Sequence, residues 1–439
     1  MQRGFLGRTA LRPAPSPRLL AAAAAALSLG AAALPAAAPA HGVRADRVVV
    51  GYKGSPQIHT VRTGNPAATI ARLRRDARVR YAVPDVIAHA ADAYLPDDPG
   101  RGVKPGRWAA IQWNFTGPAG VDAPDAWAHL IAAGRPGGQG VKVAVLDTGI
   151  AYRQFGDTPA SPDLAGTHFV AGHDFIAHDA YANDRNGHGT HVASTIAETT
   201  NNGVGLTGLA YGASIMPVKV LDDYGEGDVP VIAQGVRWAA DHGAKVINMS
   251  LEFDNTVTRD MIPELIDAIA YARAKGVLVV AASGNEGDRA VAYPARNDAV
   301  LSVGGTTEHG CLADYSNTGH GLDLVAPGGG DDADRGDPGC VYKGRPGRNI
   351  AQMTLIGIHK DKIGIPHNYE GTSMAVPHVS ATAALVVASG ILGPDPSPDA
   401  ITHRLEATAR DLGPKGYDKS YGWGLLNAAA ATDPAVPVT

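Results

Sequence analysis

From about Ile111 onward, short apolar runs alternate with stretches of helical period, and no other feature of the chain restricts its fold as strongly. The runs VKVAVLD, SIMPVKVL, AKVINMS, GVLVVAAS and AVLSVGG are near-continuous apolar blocks, the pattern of strands covered on both faces. Between them, HGTHVASTIAET, VIAQGVRWAADHG and the stretch from Arg259 to Lys275 read as helices. Strands that alternate with helices predict an α/β domain whose mostly parallel sheet carries helices on both faces. Ligands of such sheets bind beyond the carboxyl ends of the strands, which here carry Asp147, Ser250 and Asn285. The stretch from Gly328 to Tyr369 lacks a period and is expected to wander over the surface.

A chain of 439 residues exceeds one ordinary core. At its start, Arg3, Arg8, Arg12 and Arg18 precede the apolar run LLAAAAAALSLGAAAL, and Ala38-Pro39-Ala40 follows. Basic flank, apolar run and small-residue cleavage pattern read as a secretory signal over residues 1–40, so the product is expected outside the cell. No second stretch reads as long and apolar enough to span a bilayer. Residues 41–100 hold a compact segment, from Arg47 to about Ala91, that reads as strand, helix, strand. The Pro-, Gly- and Asp-dense YLPDDPGRGVKPGRW then reads as a linker. The main domain is expected over 101–439. A formal net charge of −5 without long basic runs argues against nucleic acid or an anionic membrane as partner. The two cysteines, Cys311 and Cys340, either pair after export or remain free thiols; pairing would stabilise the fold by roughly 3–4 kcal/mol on the chain-entropy account.

In EGTSMAVPH, a Gly-Thr-Ser entry and a following proline put Ser373 at the mouth of a helix, where unpaired N–H groups favour developing negative charge. An ordinary capped helix would look the same. Asp147 emerges from the strand VKVAVL into a turn, as many turn aspartates do. His188 and His191 share the helix that follows Asn186-Gly187, and chemistry alone does not choose between them. A hydroxyl becomes nucleophilic when an imidazole takes its proton and a carboxylate fixes the imidazole's tautomer. In AASGNEG, Asn285 offers an amide donor for an oxyanion, or is a plain turn asparagine.

Together VAVLDTGI, NGHGTHVASTIA, AASGNEG and EGTSMAVPH resemble the four signatures of the subtilisin-like serine peptidases. The resemblance implies a secreted serine endopeptidase, monomeric, acting on proteins or peptides through an acyl-enzyme. It implies Asp147 as orienting acid, His188 rather than His191 as base, Ser373 as nucleophile and Asn285 as oxyanion donor. It further implies edges for an extended peptide at Leu221 to Gly227, including Gly225 and Gly227, and at Ser250-Leu251, with a side-chain pocket lined by Ala282 to Gly284. Arg47 to about Ala91 resembles the family's pro-segment, a small α+β unit that occupies the site until removed. TNNGVGLTG resembles a calcium loop, with Asn202 offering a side-chain oxygen, Thr200, Val204 and Leu206 offering carbonyls, and Asp163 and Gln112 completing the cage. Three departures stand out: Glu252 where the family has glycine, Ser283 for the commoner alanine, and Val379-Ser380-Ala381 for the usual Ala-Gly pair. Glu226, Glu252 and Glu286 are expected to form an acidic rim that favours Lys or Arg in the substrate, unless they are simply solvated. A zinc hydrolase built on His188 and His191, and a binding module on an inactive scaffold, are the rival readings; the first lacks an HExxH helix.

Overall fold

A computed structural model describes residues 43–86, 94–333, 340 and 346–437. The proposed signal over 1–40, and the end of the segment to Ala91, lie outside the described residues. The chain divides into two units, Met1–Ala91 and Asp92–Thr439.

In the small unit, β1 (Val43–Tyr52) lies between β2 (Ile58–Arg62) and β3 (Val79–Val86), antiparallel to both. Helix α1 (Pro66–Leu73) starts where the Asn65 side chain accepts the Ala68 N–H and Pro66 takes the first position. Ile70 and Leu73 pack on Val48, Val50, Val79 and Ala82. Strand β2 escapes sequence reading because IHTVR is exposed along nearly all its length.

The large unit begins with α2 (Trp113–Thr116) and α3 (Ala123–Ala132). Strands β4 (Lys142–Asp147), β5 (His168–Phe169) and β6 (His173–Asp174) follow, then α4 (His188–Ala197), β7 (Ser214–Lys219), α5 (Val229–Asp241) and β8 (Val246–Met249). Helix α6 (Pro263–Ala274) leads to β9 (Leu278–Ala282), β10 (Leu301–Thr306), β11 (Leu324–Pro327) and the short β12 (Thr354–Ile356) and β13 (Lys362–Gly364). Helices α7 (Thr372–Ser389), α8 (Pro398–Ala407) and α9 (Ala428–Thr432) close the unit. The main sheet runs β11-β10-β9-β8-β4-β7-β5, with β6 also on β7, and every pairing is parallel. The expected sheet is therefore present, with helices on both faces.

Strand β4 shows how the two faces are built. Val143 and Val145 enter the layer holding Val192 and Ile196 of α4 and Val376 and Val379 of α7. Ala144 and Leu146 point the other way, to Ile232 and Val236 of α5 and Leu265 and Ile269 of α6. Two-residue alternation inside an all-apolar run thus serves two cores. After β4 the chain builds β5 to β7 on one side, then crosses to β8 on the other. The sheet's switch point, where ligands bind, is therefore at the end of β4.

Two expectations need correction. The stretch from Gly328 to Tyr369 does not merely wander over the surface. Ile350 to Leu355 are buried, β12 and β13 pair as a hairpin, Ile350 O accepts from His191 and Met353 O accepts from Ser194. Its short strands and scattered apolar residues leave no period to detect. The supposed linker is likewise seated on the rest of the large unit: Asp97 N donates to Asn201 Oδ1, and Gly100 N to Gly205 O. One helix among the described residues, Thr372–Ser389, is long and apolar enough to cross a membrane, but 78% of it is buried within the unit.

Candidate active site

Asp147 ends β4 with its side chain fully buried, and its Oδ1 lies 2.8 Å from His188 Nδ1 while also accepting the Thr148 N–H at 2.7 Å. His188 opens α4 directly after Gly187, whose φ of 102° a side chain would resist. Gly189 must be glycine for space, since a Cβ there would stand 2.2 Å from Gly149 O. The loops carrying acid and base are tied by Asp184, which the sequence reading missed. Its Oδ1 accepts from Thr148 Oγ1 and from the N–H groups of Asn186 and Gly187, and its Oδ2 accepts from Thr190. The signal for it was an aspartate three residues before Gly187, placed to cap the turn.

Burial by itself would lower the His188 pKa, but the Asp147 carboxylate outweighs it and holds the imidazole above its ordinary 6.5. His191 has no such partner. It meets the Ile350 carbonyl, stacks on Tyr369 at 4.2 Å, and burial drives its pKa down to about 3. Only His188 of the pair has a carboxylate to orient it.

Ser373 is the second residue of α7, in the first turn where backbone N–H groups have no intrahelical acceptor. One of these is taken by Asn285, whose Oδ1 accepts the Thr372 N–H at 2.8 Å and the Thr372 hydroxyl at 3.0 Å. Because its oxygen is committed there, the Asn285 amide nitrogen must face the other way. Pro377 lies deeper in α7 than its role as a helix-start residue suggests. Lacking an N–H, it cannot bond the carbonyl four residues back, which is that of Ser373. That carbonyl instead accepts Ser250 Oγ at 2.8 Å, and Ser373 Oγ rests on the Ser250 carbonyl at 3.2 Å.

Thr148, His188 and Ser373 line one cleft of about 530 Å³ with Leu221, Tyr224, Gly225, Glu226, Gly227, Ser250, Leu251 and Glu252. The two expected peptide edges therefore border this cleft. Ala282 and Gly284 do not line it: both are buried, and the Glu252 carboxylate covers Gly284, with Oε2 2.9 Å from where a Cβ on that glycine would stand. The large side chain in the family's glycine position fills that space. Glu226 and Glu252 face the cleft, whereas Glu286 stands outside it, bonded to Asn317 and Asn255.

At the far end of α4, Asp163 accepts from Asn202 Nδ2 and from Leu206 N, both at 2.7 Å. Two further carboxylates that sequence reasoning missed stand nearby. Asp98 accepts the N–H groups of Asn201 and Asn202, and fully buried Glu198 accepts the Met353 N–H while its Oε2 has no partner. Burial pushes Asp163 up to about 7, and burial together with the Asp163 charge pushes Glu198 well up also. Three carboxylates from separate segments gather around one glycine-bearing loop, and with no basic side chain among the groups acting on them they suit a hard cation. Gln112 does not join them, since its amide oxygen accepts Thr207 N and its nitrogen donates to Thr207 O. Elsewhere Cys311 and Cys340 form a disulfide, Cα to Cα 4.6 Å.

Residues 138–424 match the Subtilase family. The chain is 40% identical over 295 residues to Subtilisin Savinase of Lederbergia lenta, covering 67% of this chain and 91% of that one. It is also 40% identical to an alkaline protease of Alkalihalobacillus alcalophilus, a match that spans 67% of this chain and 65% of the relative. Among solved structures, a protease from Pseudoalteromonas arctica PAMC 21717 superposes with a TM-score of 0.61 at 31% identity, over 77% of this chain and 99% of that one.

Proposed function

The chain belongs to the Subtilase family and is a subtilisin-like serine endopeptidase, and on that premise we propose that Asp147, His188, Ser373 and Asn285 carry its chemistry. The observation that carries this reading is the 2.8 Å Asp147–His188 pair opening onto the cleft that holds Ser373 at a helix N-terminus. In the reaction the Ser373 hydroxyl leaves the Ser250 carbonyl it bonds here and donates instead to His188 Nε2, across the cleft that both line. The imidazole takes the hydroxyl proton as Oγ attacks the substrate carbonyl, and Asp147 steadies the imidazolium. The oxyanion is received by Asn285 Nδ2 and the Ser373 N–H. Imidazolium then gives its proton to the departing amine, leaving an acyl-enzyme that water hydrolyses by the same steps in reverse order.

The substrate is an extended protein segment that pairs by main-chain bonds with the Gly225–Gly227 and Ser250–Leu251 edges. Residues 1–40 direct export and are removed, and the small unit is a pro-segment, so the mature enzyme is extracellular and acts as a monomer. Asp98, Asp163 and Asn202, with the carbonyls of Thr200, Val204 and Leu206, would hold a calcium ion through oxygen ligands. Its contribution is structural, far from the proton transfers. The test is a comparison of wild type with Ser373→Ala on unfolded casein and on a serine-directed fluorophosphonate, with the secreted N-terminus sequenced. Wild type is expected to cleave and label, and the variant to do neither. Equal casein cleavage by both would refute the assignment.

A further inference from the structure

Glu252 stands against the proposed oxyanion site in an arrangement that opposes the reaction unless something neutralises it. Its Oε1 accepts the Asn285 Nδ2 hydrogen at 2.8 Å, engaging the amide that has to receive the oxyanion. Its Oε2 is buried without a hydrogen-bond partner, and it lies in the cleft shared by His188 and Ser373. No cationic side chain among the described residues acts on it, and burial, with Glu286 nearby, pushes its pKa up to about 7. A carboxylate bonded to the donor of an oxyanion competes for that donor and repels the charge that forms. A substrate cation reverses both effects, since it draws the carboxylate aside and pairs with the orphaned oxygen.

Resting on the catalytic assignment above, we propose that Glu252 makes this enzyme select substrates with a lysine or arginine on the residue whose carbonyl Ser373 attacks. That residue's side chain is the one placed to reach Glu252, because its own carbonyl oxygen goes to the same Asn285 amide. The glutamate therefore acts twice: it attracts the cationic side chain, and it withholds the oxyanion donor from substrates that lack one. Glu226 lies further along the cleft, and the Glu286 carboxylate is taken by Asn317 and Asn255, so the Asn285 amide is left to Glu252.

The experiment uses peptide p-nitroanilides identical except for lysine, arginine or norleucine at the cleaved residue, assayed at pH 8.5 with the mature enzyme, Glu252→Gln and Glu252→Ala. Norleucine matches the lysine stem without its charge. Wild type is expected to favour lysine and arginine over norleucine by at least about tenfold in kcat/KM, the scale of one charge-assisted hydrogen bond. Both variants are expected to bring that ratio within about threefold, with norleucine turnover rising. A wild-type ratio near one, or a preference that survives in both variants, overturns the inference. Fluorophosphonate labelling of each protein separates the two layers: a flat ratio in enzyme that labels refutes the role of Glu252 alone, and absence of labelling in wild type refutes the catalytic assignment beneath it.

Discussion

Removing calcium should lower the melting temperature of the large unit by an amount that can be worked out beforehand. An ion that binds only the folded state stabilises it by about 2.7 kcal/mol at one hundred times its Kd and about 4.1 kcal/mol at one thousand times. The unit holds about 350 residues, and an unfolding entropy of about 2.1 cal/mol/K per residue gives about 0.7 kcal/mol/K. Those two calcium levels therefore correspond to a rise in Tm of about 4 and about 6 °C over chelator. The structure explains why the metal-free fold is the weaker one: Asp163 and Glu198 are buried in contact, and without a cation their charges have only each other and a few N–H groups. Differential scanning calorimetry of the Ser373→Ala protein, which cannot digest itself, measures the effect in EGTA and in graded calcium. Asp163→Asn should melt at one temperature in both. A wild-type Tm that does not move across the calcium series would refute the cage.

The remaining predictions concern the catalytic centre and the covalent framework. The acid limb of kcat/KM should fall above the ordinary histidine value of 6.5, since the Asp147 charge outweighs the burial that would lower it; Asp147→Asn should move that limb to lower pH. The same change should cut kcat by about 10⁴-fold, a size carried over from other enzymes with this triad. Stopped assays between pH 5 and 9 test both points, and an unmoved limb would refute the His188–Asp147 coupling. Gly189→Ala would press a methyl against the Gly149 carbonyl and within 3.0 Å of Asp147 Oδ1. It should cost about 1–3 kcal/mol by urea melt and most of the activity; wild-type values for both would refute the packing. Replacing Cys311 and Cys340 together by serine reopens a loop of 29 residues. That should cost about 3–4 kcal/mol, read as a Tm drop of about 5 °C, and an unchanged melt would show that the bridge adds nothing.

Where neighbours in sequence are also neighbours in space, the chain could be read. The strand runs gave the parallel sheet because each is apolar over its whole length, and the four motifs could be recognised because each catalytic candidate sits in its own turn of glycines and short polar residues. What escaped depends on contacts across long separations. Asp98 lies in a proline-rich stretch that looks like a linker, and only the fold lays it beside Asn201 and Asn202. Gln112 matched a family pattern, yet Thr207 consumes both ends of its amide. Glu198 was unremarkable at the end of a helix until Asp163 stood next to it. Glu252 is an oddity of sequence, but its bond to Asn285 is purely three-dimensional.

The missing N–H of Pro377 has a further effect on how accurately the site is set. An unbroken helix would index its first turn to its own axis, so any flexing along α7 would reach the nucleophile. Here the Ser373 carbonyl is referred to the Ser250 hydroxyl just past the carboxyl end of β8, in the middle of the sheet. Displacements of as little as 1 Å can cost a hundredfold in rate. Seating the attacking group and the strand that receives the peptide on one common datum makes their positional errors move together, so that much of the error cancels in the distance across which the new bond forms.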